Sequence, residues 1–312
     1  MKTINDFKIT KLFSLYISFS LSLCLFLSLL CSICLPINNS EAKDKIKWVI
    51  MDFPPAYFIS GPLKGKGFAQ VALEIFVKNL PEYEHEFVEL SGVAANALLL
   101  KHSDKNILLA APMHGMTVQK AKADGYNIIL SNPTLYVPPI GIAVRKEDLN
   151  KFSNGDPVSL EKLLQNNKLS LGVPNYKSGG ISKEVTDLIE KYKDKVTVNN
   201  DNTAKPSVLI KQLLNKRFDY AINWAFAIHN AIVELQVKDQ VVFIPITEVP
   251  FDSGPSHALF SNTANAKVLV EKINKIIITD EYKKAVIASL TQFIPDNIIK
   301  QYSDLNNEKL GN

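Results

Sequence analysis

Short apolar runs alternate along this chain with stretches in which apolar positions recur every three or four residues. Residues 47–51 (Lys47, Trp48, Val49, Ile50, Met51) read as a buried strand, and Asp52, Phe53, Pro54 and Pro55 end it because proline cannot continue a ladder. After a glycine-rich turn over 61–67, Phe68, Val71, Ala72, Ile75 and Phe76 recur at helical spacing. The alternation continues with a strand at 87–90, a helix over 92–101 and an apolar strand at 107–111, the pattern of parallel strands covered by helices.

Pro133, Pro138 and Pro139 then interrupt the pattern before a strand at 140–144, and a lobe boundary is placed there. Ser159 is positioned to cap a helix carrying Leu160, Leu163 and Leu164, and Ser182 one carrying Val185, Leu188 and Ile189. Strands at 169–173, 196–198 and 220–222, with a helix through Val208, Leu209, Leu213 and Leu214, repeat the rhythm as a second α/β unit. An extended segment at 241–246, a breaker-rich stretch at 250–255, a strand at 257–260 and two closing helices at 267–278 and 281–290 complete the reading.

The N-terminal segment has a different character. Lys2, Lys8 and Lys11 precede an uncharged stretch, densely apolar from Leu12 to Leu35, and Ser40, Glu41 and Ala42 supply small residues at the −3 and −1 positions of a secretory cleavage site. Export into a bacterial periplasm with removal of residues 1–42 is the principal expectation. A retained anchor and lipidation at Cys31 or Cys34 are the alternatives. All three cysteines, Cys24, Cys31 and Cys34, fall within this segment. The remainder therefore holds no disulfide, thiol nucleophile or thiolate metal site, and must be stable on its own core.

Net charge is +4, with the lysines scattered or alternating with acids rather than gathered into a stripe with interleaved aromatics. That argues against nucleic-acid binding. The five histidines show no paired metal spacing, and no Gly-x-Ser-x-Gly or phosphate-loop motif occurs.

In open α/β sheets ligands collect at the carboxyl ends of strands, which directs attention to residues 52–57, 111–120, 174–180 and 223–226. Asp52, Phe53 and Tyr57 offer a carboxylate and two rings on a chain stiffened by two prolines, either as a ligand wall or with the rings as core. Thr117 and Lys120 suit an anion, whereas His114, with no second histidine close in sequence, reads more simply as structural. Tyr176, Ser178, Gly179 and Gly180 precede a helix, as a carboxylate cradle or a plain turn. Trp224 is a second aromatic wall or lobe packing.

The order of these segments resembles bacterial extracellular solute-binding proteins of family three, the periplasmic amino-acid-binding type, across residues 46–305. The residues that carry it are Trp48 to Tyr57, the Gly65-Lys66-Gly67-Phe68 turn, Met116 to Lys120, Gly141 to Lys146, Leu171-Gly172-Val173 with Ser178-Gly179-Gly180, and Leu213 to Ile222. The resemblance implies a two-lobed α/β fold of the type II periplasmic-binding-protein kind, each lobe a small sheet covered by helices, joined by two hinge crossovers. It places lobe one in 43–135 and 248–312 and lobe two in 136–247. It further implies a small-molecule solute held by Asp52, Phe53, Tyr57, Met113, Thr117 and Lys120 from lobe one, and by Tyr176, Ser178, Gly179 and Trp224 from lobe two. A monomer without cofactor, metal or catalytic residue is expected, delivering its solute to an ABC-type membrane permease. Sensing for a membrane receptor is one alternative, and a dehydratase-like cleft enzyme using Asp52 or His114 is another.

Two departures matter. Lys120 stands where the family has a carboxylate-clamping arginine, and Trp224 where it has an acid that receives a ligand amino group. A point charge does not replace a bidentate fork, and an indole offers only one N–H donor. A standard L-amino acid is therefore disfavoured against a carboxylate, an aromatic compound, a short peptide or another polar metabolite.

Overall fold

The computed structural model describes residues 43–101, 104, 106–153, 156–173, 181–195, 197–198, 205–250 and 254–310. The expected leader at 1–42 and the loop holding Tyr176, Ser178 and Gly179 lie outside the described residues. Among the described residues no helix is long and apolar enough to cross a membrane. Asp44–Asn312 forms one compact unit.

In chain order the elements are β1 (Lys45–Asp52), α1 (Phe68–Lys78), β2 (Glu84–Ser91), α2 (Gly92–Lys101), β3 (Leu108–His114), α3 (Val118–Ala123), β4 (Ile128–Tyr136), β5 (Ile140–Arg145), α4 (Leu160–Gln165), β6 (Leu171–Val173), α5 (Lys183–Lys191), β7 (Thr197–Val198), α6 (Pro206–Leu214), β8 (Tyr220–Trp224), α7 (Ala225–Leu235), β9 (Val241–Pro245), β10 (Pro255–Ser261), α8 (Ala266–Ile277), α9 (Asp280–Thr291) and α10 (Asp296–Lys309). Two five-stranded sheets result, ordered β2-β1-β3-β10-β4 and β7-β6-β8-β5-β9. In the first, β1 runs parallel to β2 and β3 while β10 is antiparallel to β3 and β4; in the second, β6 is parallel to β7 and β8 while β5 is antiparallel to β8 and β9. Each sheet thus consists of parallel strands with one antiparallel strand fed by a crossover. The chain crosses from one lobe to the other twice, between β4 and β5 and between β9 and β10.

Three elements differ from the sequence expectation. β4 contains Pro133, which reads as a breaker, but β4 is an edge strand whose register shifts near Pro133, so the missing N–H costs no regular ladder bond. α7 is apolar on most of its circumference, with Ala225, Phe226, Ala227, Ile228, Ala231 and Ile232 all buried, and shows no stripe to read. A third closing helix, α10, is largely polar and buries Ile298, Tyr302 and Asn306 along one line of i, i+4 spacing. The expected caps are in place: the Ser159 hydroxyl accepts from the Lys162 amide at 3.3 Å and that of Ser182 from the Val185 amide at 3.4 Å.

Buried apolar residues from both lobes join into one cluster, in which Trp48, Phe76 and Phe260 of the first lobe are continuous with Leu213, Phe226 and Phe243 of the second. The opposite face of the second sheet has its own core around Ile142, Val185 and Ile222. Buried polar groups tie the frame together. Arg145, 5% exposed, donates through its guanidinium to the Asp148 carboxylate (2.5 Å) and to the carbonyls of Leu213 and Phe218 (both 2.7 Å), joining β5 to the end of α6 and to the chain just before β8.

Each crossover is anchored at one end. Fully buried Asn306 on α10 accepts from the Tyr136 amide at 2.9 Å and donates to the Tyr136 carbonyl at 3.3 Å, fixing the end of β4. At the other crossover the Glu248 carboxylate accepts from the Ser159 hydroxyl (2.9 Å) and from the amides of Leu160 (3.0 Å) and Glu161 (3.1 Å), where the start of α4 favours an anion.

Candidate functional site

β1 and β3 deliver the first-lobe residues. Asp52 ends β1 and is exposed, in register with Ser91 of β2. Beyond it the chain folds back so that the Tyr57 amide donates to the Phe53 carbonyl at 3.0 Å. Gln70, buried on α1, holds the loop that follows: its side-chain oxygen accepts from the amides of Phe58 (2.9 Å) and Gly67 (3.0 Å), and its amide donates to the Phe58 carbonyl (3.3 Å). Pro55 and Ala56 carbonyls accept from the first amides of α1, at 3.2 and 3.0 Å from Phe68 and Ala69. The helix start is therefore satisfied by the protein's own loop rather than left open for an anion.

Tyr57 is placed inside the lobe. Its side chain is 1% exposed and its hydroxyl donates to the Met113 carbonyl at 3.1 Å, while burial pushes its pKa well above the usual range. Of the two alternatives open in the sequence, core filling describes Tyr57. Met113 is also buried, at 5%. Thr117 caps α3 by accepting from the Lys120 amide at 3.1 Å, and the Lys120 ammonium lies 2.9 Å from the Asp124 carboxylate on an exposed surface. His114, the last residue of β3, is committed at both nitrogens: Nδ1 accepts from the Met116 amide at 3.1 Å, which leaves the Nε2 proton facing the Asn96 side-chain oxygen at 2.9 Å. Burial pushes its pKa down to about 4, so the ring is neutral near pH 7.

From the second lobe, Trp224 ends β8 and sits at the start of α7. Its amide donates to the Asn223 side chain at 2.8 Å, and the next amide, Ala225, donates to the Pro139 carbonyl in the first crossover at 3.1 Å. The indole stacks on Phe226, with centroids 5.9 Å apart and planes 8° from parallel. Phe226 in turn meets Phe53 edge to face at 6.2 Å and Phe68 at 5.9 Å. Phe53 and Trp224, assigned from sequence to opposite lobes, are thereby linked through one intervening ring. Phe226 lay within a segment singled out by the strand-end rule, yet its role depends on the distant Phe53 and Phe68, which no local spacing signals.

Among the described residues no group of three or more His, Cys, Asp and Glu side chains is arranged to hold a metal ion.

No protein-family model matches this sequence, and no curated protein does. Solved structures are similar to it in fold. The probable amino-acid ABC transporter extracellular-binding protein ytmK from Bacillus subtilis superposes with a TM-score of 0.55 at 14% identity, covering 81% of this chain and 99% of that one. A structure from work on glutathione import via GshT and the cystine ABC importer TcyBC of Streptococcus mutans gives 0.55 at 16% identity, covering 82% and 99%. The periplasmic VFT2 domain of BvgS from Bordetella pertussis gives 0.52 at 14% identity, covering 80% and 93%. The chain has the two-lobed α/β fold of solute-binding domains.

Proposed function

We propose that this protein is exported and binds a small polar or carboxylate-bearing solute between its lobes, for delivery to an ABC-type importer in the membrane. The observation that carries this reading is the meeting of aromatic rings from both lobes beside the strand ends, Phe53 from one and Trp224 with Phe226 from the other. Such rings cover the apolar part of a ligand while neighbouring polar groups orient the rest. The lobes are residues 43–135 with 248–312, and 136–247, moving as units about the two crossovers.

Lys120 is the group available for a carboxylate. Its partner Asp124 is close, but an exposed ion pair of this kind is worth only about 0–1 kcal/mol, so an incoming carboxylate can displace it. Solute that contacts the closed form better than the open one adds to its stability, and the filled closed form is what a partner reads. No residue is assigned a catalytic role, and the chain acts as a monomer.

The test is mass spectrometry of small molecules released from the purified unit 44–312, followed by calorimetric titration of the released compound. Lys120→Ala is expected to weaken an anionic solute about tenfold or more. Unchanged affinity removes Lys120 from the site, and failure to bind any small solute removes the reading itself. Likeness to a periplasmic VFT domain supports a second reading, ligand sensing for a membrane receptor. A neighbouring permease gene favours the first, and a receptor kinase gene the second.

A further inference from the structure

Helix α7 belongs to the second sheet unit by its place between β8 and β9, yet it touches the first lobe near both of its ends. Near its start, Phe226 is 3% exposed and lies against Phe53 and Phe68. Just past its end, the Lys238 ammonium sits 3.1 Å from the Asp296 carboxylate at the start of α10. Between them, His229 on α7 feels the charges of both Asp296 and Lys238. The helix has eleven residues and spans roughly 16 Å. Two contacts separated by that length resist rotation of one lobe away from the other about the crossovers better than either alone.

We infer that α7 is an interlobe latch: through Phe226 and Lys238 the protein's own side chains hold the lobes together, so the closed arrangement is the resting one. Solute then seats against a cleft that is already drawn in. Phe53 is the point of access, since the residue remains 42% exposed although one side of its ring meets Phe226. The apolar contact dominates because a buried ring against two others excludes water. The Lys238 pair, exposed on both sides, acts mainly in orientation. This goes beyond the solute-binding proposal, and its test requires no solute.

Unit 44–312 contains no cysteine, so spin labels attach only where cysteine is introduced. Lys122→Cys on α3 and Glu184→Cys on α5 place one label on an exposed site of each lobe. Pulsed dipolar spectroscopy on this doubly labelled protein is expected to give one short-distance population. Adding Phe226→Ala with Lys238→Ala is expected to introduce a second, longer population. Phe226→Leu keeps an apolar contact and gives a smaller shift, which guards against loss of folding in the alanine variant. Lys238→Glu moves the distribution the same way, and Lys238→Glu with Asp296→Lys restores it. Coincident distributions in latched and unlatched proteins that both retain native circular dichroism overturn the latch, as does a predominantly long distance in the latched protein.

Discussion

Asn306 holds Tyr136 by both backbone polar groups, its side chain mimicking a strand partner at the point where the chain leaves the first sheet. Asn306 is fully buried, and its side-chain nitrogen also donates to the Tyr302 carbonyl at 3.1 Å. Asn306→Leu keeps the branched outline of the side chain but strands the Tyr136 amide. It is expected to cost about 1–3 kcal/mol, read as a lower denaturation midpoint in urea. A midpoint equal to that of the unaltered protein would show that the strand end is held elsewhere.

Gly67→Ala tests the loop beside Phe53. A Cβ at this position would lie 2.1 Å from the Ala56 carbonyl oxygen and 2.8 Å from the Tyr57 Cα. These are backbone atoms, and the same carbonyl accepts the Ala69 amide at the start of α1, so neither side can yield cheaply. The substitution should lower stability by roughly 1–3 kcal/mol or more, detectable by thermal melting. Gly92→Ala, where a Cβ meets nothing within 4 Å, provides the control and is expected to be nearly silent.

Arg145 serves four groups at once: Asp148, the carbonyls of Leu213 and Phe218, and more distantly Asp219, at 3.7 Å. Removing one partner of a buried ionic network leaves the others unsatisfied, and Arg145→Ala is expected to destabilise by about 3–5 kcal/mol. Arg145→Lys should recover only a fraction, because a single ammonium cannot reach the fork of acceptors. Equal stability of the lysine variant and the native protein in guanidinium unfolding would refute this account.

Acid sensitivity should appear before the carboxylates titrate. His114 in the folded protein has a pKa of about 4 because burial opposes its charge, whereas the unfolded chain takes up that proton near 6.5. Between those values the unfolded state binds more protons, so stability falls as pH drops from about 6.5 toward 4, by around 1–3 kcal/mol. His229 and His257 are shifted downward chiefly by burial and act in the same direction. Urea midpoints measured at pH 7, 6 and 5 should decline, and His114→Gln should flatten part of the slope. An identical slope in that variant would assign the effect to other groups.

Most strands were legible because parallel strands covered on both faces read as continuous apolar runs, as Trp48, Val49 and Ile50 illustrate. Two helices were not, for opposite reasons. α7 is apolar nearly all round, and α10 is polar except for Ile298, Tyr302 and the buried amide of Asn306. The candidate site was legible as a set of strand ends rather than as side-chain positions. Local sequence did hold the Lys120–Asp124 pairing, at i,i+4 spacing on α3. It did not hold the fate of Tyr57, whose hydroxyl is taken up by Met113 on another strand, or the junction of Phe226 with Phe53 and Phe68. The first depends on how β1 and β3 lie in one sheet, the second on how the two sheets are set against each other.

The Glu248 carboxylate is pulled toward protonation by burial, but the Leu160 and Glu161 amides outweigh this and keep its pKa below the usual value. One crossover is thereby pinned to the start of α4 in the second lobe, while the other is pinned to α10 in the first. With opposite leaves fastened, each lobe holds one of the two passages between the sheets by its own side chains. Loss of either fastening would leave the other passage still held.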